Sequence, residues 1–185
     1  MFANGENTRA FTIPEGSMAT VIRMRRATTA DARDVFEWRN DPQTRLASIS
    51  QDPIDWDAHA AWFTRSLHDD DRRLYIAEDP DAEQSSGAIG MVRFDLLDGH
   101  RTAEVSINLN PGWRGRGRSA ETLLAGVAAL REEHGAVPEL LATIRRENTV
   151  SVRLFEGAGF VQALITPEFA YFRREAELGV TAGTP

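Results

Sequence analysis

Apolar and polar positions change period several times along the chain, and each change marks an element. The segment "TVIRMRRAT" (20–28) alternates apolar Val21 and Met24 with polar neighbours, which predicts a first strand. Thr28 with Asp31 three residues on forms a capping-box start for a helix carrying Val35, Phe36 and Trp38. That helix stops at "NDP", because the residue before Pro42 is driven out of helical geometry. A second helix opens at Asp55 and runs to about Leu67, with Trp56, Ala60, Phe63 and Leu67 in one stripe. The period then drops to two. "RLYIAE" (73–78), "AIGMVRFDLL" (88–97) and "TAEVSINL" (102–109) read as strands separated by short polar gaps, and Asp98-Gly99 favours a tight reversal. These three predict an antiparallel meander. A long helix follows, about 117–134, with Leu123, Leu124, Val127 and Leu130 inward and Gly135 as its stop. A strand at 139–144, a short helix at 149–158 and strands near 160–165 and 169–174 complete the pattern. The expected architecture is a single α/β domain over 20–176, with a flexible leader at 1–19 and a tail at 177–185. It has a mixed, mostly antiparallel twisted sheet and about four helices.

Composition narrows the chemistry. The formal net charge is -7, so no general basic face for nucleic acid is expected. There is no cysteine, and all 21 basic side chains are arginine. Thiolate catalysis, a lysine Schiff base and a Walker-type phosphate loop are therefore excluded. No run approaches 18 apolar residues and the N-terminus lacks a basic start followed by an apolar stretch, so a cytoplasmic protein without membrane contact is expected. His59, His68, His100 and His134 lack metal-ligand spacing and read as surface or structural, with no metal site.

Against that acidic background, "NPGWRGRGRS" (110–119) puts three arginines and three glycines in front of a helix. A solvated basic turn is one reading. A dinucleotide fingerprint is another, since Gly115-x-Gly117-x-x-Ala120 has the right spacing. It fails because four residues separate Asn110 from Gly115 and because the preceding strands look like hairpins rather than βαβ units. The third is a pyrophosphate site: a helix N-terminus offers unpaired N–H groups, glycines let the backbone approach, and Arg116 or Arg118 can neutralise phosphates.

The third reading gains from a resemblance. Arg114, Gly117 and Ser119 resemble motif A of the GNAT superfamily of N-acetyltransferases, with Ser119 where the family has Gly or Ala. "ENTVSVRLFEGAGF" (147–160) resembles the family's later block through Asn148, Ser151, Leu154, Phe155, Gly159 and Phe160. The resemblance implies a GNAT-like fold in which strands 102–109 and 139–144 are parallel neighbours that splay apart. It implies acetyl-CoA as co-substrate: Ile107, Asn108 and Leu109 would hold the pantetheine arm, the turn Arg114, Gly115, Arg116, Gly117, Arg118 and Ser119 the pyrophosphate, and Asn148, Ser151 and Phe155 the opposite side. The amine would attack the thioester directly, with Glu104 as base. Phe155 stands where the family commonly has an acidic tyrosine, leaving Ser151, Tyr171 or a water for that role.

The acceptor is open. "EWRNDP" (37–42), "DPIDWDAHAAWF" (52–63) and "MVRFD" (91–95) resemble the branch acting on nucleotide-linked amino sugars, and "AEVSINLNP" resembles ribosomal-protein N-terminal acetyltransferases. A small amine is the expected partner, with Asp95 or Glu78 favouring an approaching ammonium group, and the protein is expected as a monomer or homodimer. A non-catalytic acyl-CoA-binding module is the alternative of a different class. Trp38, Trp56 and Trp62 are candidates for lining the acceptor pocket.

Overall fold

A computed structural model describes residues 22–82 and 87–177. The expected leader, the first residues of the expected β1 and the tail from 178 lie outside the described residues. In chain order the elements are β1 (Arg23–Arg26), α1 (Ala32–Asn40), α2 (Pro42–Ala47), α3 (Trp56–Leu67), β2 (Arg72–Glu78), β3 (Ala88–Leu97), β4 (Thr102–Leu109), α4 (Arg118–His134), β5 (Glu139–Arg145), α5 (Thr149–Gly157), β6 (Val161–Ile165) and β7 (Phe169–Arg174). Short 3-10 turns occupy Thr29–Asp31 and Pro111–Trp113. The strands form one seven-stranded sheet ordered β1-β2-β3-β4-β5-β7-β6, in which only β4 and β5 are parallel.

Alternation along the strands gives the sheet two apolar faces. On β2, Tyr75 belongs to one core and Leu74 and Ile76 to the other. On β3, Val92 and Phe94 pack with Leu123, Val127 and Leu130 of α4, while Met91 packs with Val35, Trp38 and Phe63 beneath α1 and α3. Helix α4 lies close on the sheet because Gly126 lacks a side chain; a Cβ there would stand 2.9 Å from Val92.

The meander and α4 form as the periodicity predicts. The Thr28–Asp31 start is also present: the Asp31 carboxylate accepts from Thr28 N at 2.7 Å and is held by the Arg25 guanidinium at 2.7 Å. Four expectations change. Among the described residues there are five α-helices, since Pro42 does not merely end α1. It occupies the first turn of α2, whose N-cap Asp41 accepts from Thr44 N at 2.9 Å. Proline has no N–H to lose there, so one residue closes one helix and opens the next. Helix α3 is rotated from the expected stripe, burying His59, Phe63 and Ser66. Leu124 is exposed; Thr122 takes the inward place on α4. Glu177, the first residue of the expected tail, forms a bridge with Val137.

Candidate active site

The parallel pairing of β4 with β5 is brief. Thr102 faces Glu139, Ala103 faces Leu140 and Glu104 faces Leu141, and beyond Glu104 no further pairs form. Each strand keeps its other neighbour, since β4 stays paired with β3 as far as Leu109 and β5 with β7 as far as Arg145. The result is a fork. Asn110 N donates to Ile89 O at 2.8 Å and Arg146 N to Glu168 O at 3.0 Å. Because backbone groups alternate sides along a strand, this phase turns the N–H and C=O of Val105, Ile107 and Leu109, and of Thr143 and Arg145, toward the opening.

A cavity of about 520 Å³ fills the fork. Ile107 and Asn108 line it from β4, Thr143 and Ile144 from β5, and Asn148, Ser151 and Phe155 from α5. Its far wall comes from α1, α3 and β3 through Arg39, His59, Trp62 and Arg93. Asn148 Oδ1 caps α5 by accepting from Ser151 N at 3.1 Å, and its Nδ2 donates to Ala47 O at 3.2 Å, tying α5 to α2. Phe155 is 4% exposed and meets Phe160 edge-on at 4.9 Å, so it serves the core and the cavity wall together. Asn108 Oδ1 is buried without a hydrogen-bond partner among the described residues.

The remaining sequence candidates sit elsewhere. Leu109 and Tyr171 are not among the lining residues, and neither is Glu104, which marks the last paired position of the fork. After β4 the chain runs through the 3-10 turn into Gly115 and Gly117, both left-handed at φ +72° and +73°. Gly117 is the N-cap of α4, and no side chain caps that helix end. A Cβ at Gly115 or Gly117 would touch nothing within 4 Å, so these glycines answer a backbone requirement and leave the N–H groups of the turn accessible. Ser119 lies in the first turn of α4.

The three arginines of this turn differ. Arg114 pairs with Asp41 at 2.6 Å and donates to Gln43 Oε1 at 3.2 Å and to Thr44 Oγ1. Its guanidinium holds the Asp41 carboxyl below the usual carboxylate range. Arg118 pairs with Glu121 at 2.8 Å and lies 3.9 Å from Asp79. Arg116 is exposed and lies over the Trp113 ring at 4.8 Å, with no carboxylate partner among the described residues.

Two further expectations shift. Glu78 is gripped by Arg23 and Arg25, and Asp95 by Arg72 and by Arg93 Nε at 3.0 Å, so neither is an open carboxylate awaiting an ammonium. Of the three tryptophans, Trp62 lines the cavity, Trp38 is buried in the core and Trp56 stacks under Arg33 at 3.6 Å. His59 also lines the cavity. It is 2% exposed, its Nε2 lies 3.0 Å from Ala32 O, and burial lowers its pKa. A carbonyl only accepts, so Nε2 carries the hydrogen and Nδ1 the lone pair. Arg39, His59 and Arg93 lie on elements distant in sequence, inside the segments EWRNDP, DPIDWDAHAAWF and MVRFD, whose resemblance does not single out these three side chains as acceptor-site residues.

A family model described as an acetyltransferase (GNAT) domain matches residues 22–161. The chain belongs to the GNAT acetyltransferase family. It is an N-acetyltransferase. Among curated relatives, the Bacillus subtilis (strain 168) protein YwnH, named as a candidate phosphinothricin acetyltransferase, is 29% identical over 131 residues, covering 69% of this chain and 76% of that one. The solved Vibrio cholerae spermidine N-acetyltransferase in complex with CoA and spermine superposes with a TM-score of 0.69 at 20% identity, over 83% of this chain and 93% of that one. A second structure, of a candidate phosphinothricin N-acetyltransferase, gives 0.68 at 22% identity, over 83% and 98%. At these identities the structures establish a shared GNAT fold. Among the described residues no helix is long and apolar enough to cross a membrane, and no cluster of side chains could hold a metal ion.

Proposed function

We propose that this GNAT enzyme transfers the acetyl group of acetyl-CoA to the primary amine of a small molecule. The observation that carries the proposal is the fork leading into an uncapped helix N-terminus. Backbone groups of Ile107 and Leu109 face the opening, where an amide-bearing pantetheine arm can pair as an added strand would. The polar cavity position at Asn108 Oδ1 fits an N–H donor. At the end of β4, the accessible N–H groups of Gly115 to Ser119 at the start of α4 fit a pyrophosphate, with Arg116 as the cation available to it.

In the reaction the amine nitrogen attacks the thioester carbonyl, an N–C bond forms, the C–S bond breaks and the sulfur leaves as thiolate. The attacking amine must be neutral. We assign its proton to Glu104 acting through water, because that carboxylate stands at the vertex of the fork outside the cavity lining. Ser151 lines the cavity from α5, and we assign it to the leaving sulfur. Phe155 contributes shape and no proton.

Thermal unfolding tests the cofactor assignment. Acetyl-CoA at 100 times its Kd is expected to stabilise by about 2.7 kcal/mol, a rise of roughly 5–10 °C for a chain of this size. Gly117→Asn keeps a residue that tolerates the left-handed conformation, so the fold survives while the added side chain obstructs the phosphates. An undiminished shift in that variant overturns the pyrophosphate site. Glu104→Gln should lower turnover by about 10²-fold with acetyl-CoA affinity retained; parallel loss of both would make Glu104 a strand support.

A further inference from the structure

Resting on that reading, the charge of the cavity specifies the acceptor further. No carboxylate lines the cavity among the described residues, whereas two arginines do. Arg39 donates to Ser50 O at 2.7 Å through Nη2, while its Nη1 is buried without a hydrogen-bond partner. No carboxylate lies within ion-pairing distance of Arg39 among the described residues. Burial, and then the Arg45 guanidinium, press its pKa down. A desolvated cation facing a second cation is an unfavourable arrangement in a free protein, and an incoming anion relieves it. Arg93 Nε stands 3.0 Å from an Asp95 carboxylate oxygen, an ion-pair contact that lacks hydrogen-bond geometry. That carboxylate is shared with Arg72, whose other acidic neighbour is Asp69 at 4.0 Å. The terminal nitrogens of Arg93 have no partner among the described residues, and its guanidinium lies 6.0 Å from the Trp62 ring at the same wall.

We propose that the acceptor is an amine that also bears an anionic group, a carboxylate or a phosphate, and that Arg39 and Arg93 bind this group and select for it. The arrangement separates the two ends of the substrate. The anion is held at the α1–β3 wall, and the amine is left facing Ser106 and Asn108 of β4, beside the fork. A polyamine, which carries several positive charges and no anion, meets two arginines and no carboxylate in such a cavity, and like charges repel it.

Matched amines test this with acetyl-CoA saturating. Phenylalanine is compared with phenethylamine, glucosamine 6-phosphate with glucosamine, and spermidine is run alongside. At least one member bearing an anionic group should be acetylated with a kcat/KM roughly tenfold or more above its partner lacking that group, and whichever pair responds tells carboxylate from phosphate. Arg39→Gln and Arg93→Gln should each abolish that discrimination by raising KM for the anionic amine while the Kd for acetyl-CoA holds. Arg39→Lys, which keeps the charge, should retain part of it. A second readout needs no turnover: the preferred anionic amine alone should protect the wild type from thermal unfolding, and protect neither glutamine variant. Spermidine or the amines without an anionic group preferred throughout, or discrimination unchanged in both glutamine variants, overturns the proposal while acetyl transfer stands. Absence of any effect of acetyl-CoA on unfolding overturns the parent reading instead.

Discussion

The turn after β4 and the far wall of the cavity both display arginine, yet the two regions carry charge in opposite ways. In the turn, two of three guanidiniums are already matched: Arg114 is locked to Asp41 and the start of α2, and Arg118 to Glu121. These side chains brace structure, so the pyrophosphate site proposed for the turn would rest on backbone N–H groups and Arg116. On the wall, Arg39 is half-buried beside Arg45, with Nη1 out of contact with solvent and no counter-charge among the described residues, an arrangement that an arriving anion would relieve. Density of arginine along the sequence therefore misplaces the unmatched charge. It is greatest on the wall, where the two arginines come from separate elements, Arg39 from α1 and Arg93 from β3.

The largest test of that contrast is Arg114→Ala. It removes the Asp41 pair together with the bonds to Gln43 and Thr44, and should cost about 2 kcal/mol, or roughly 4–8 °C in Tm. The loss should depend on pH. Asp41 has a folded-state pKa below its unfolded value, so the pair's contribution is fully present above the ordinary aspartate pKa of about 4 and fades as pH falls through the lower folded value. Urea titrations of the two proteins should therefore converge in acid; a constant gap would place the cost of the substitution outside the ion pair.

Arg39→Gln should behave the other way. Deleting an uncompensated cation removes a desolvation cost and the repulsion from Arg45, so unfolding free energy should stay level or rise by up to about 1 kcal/mol. A clear loss of stability, measured by urea unfolding at pH 7, would mean that the bond to Ser50 O outweighs the repulsion. Smallest in stability is Arg116→Ala, expected within about 0.5 kcal/mol because that side chain only covers Trp113 from solvent. Calorimetric titration with acetyl-CoA should nevertheless show affinity weakened several-fold.

The same contrast explains what could be read in advance. The meander from β2 to β4 was legible because period-two alternation and the Asp98-Gly99 turn are local signals, and the turn from Arg114 to Ser119 because its motif is contiguous. Helix α2 was missed because none of its six residues is buried and its start signal, Asp41 followed by Pro42, reads equally well as a stop. Helix α3 was mis-phased because it turns a histidine and a serine inward, which a search for apolar stripes passes over. The cavity wall was legible only as three separate segments and Trp62, for a further reason. Arg39, His59 and Arg93 come from α1, α3 and β3, and only tertiary packing brings them to one space. Where GNAT resemblance supplied the candidates, cavity lining divides them: Ile107, Asn108, Asn148, Ser151 and Phe155 border the space, while Glu104, Leu109 and the turn arginines stand outside it.

The fork also has a consequence for self-association. A sheet whose central strands separate owns inner rims in addition to its outer ones, and a bare strand rim is ordinarily a template on which other molecules can stack. The inner rims here confront each other across a closing wedge whose vertex is Glu104 and Leu141, so neither is the long, straight, outward margin that fibril growth requires. The outer rim differs, because β6 is exposed along its whole length and carries Val161, Leu164 and Ile165. The open backbone of the fork and the exposed apolar margin at β6 thus lie on separate strands, and the fork adds no second outward surface for aggregation.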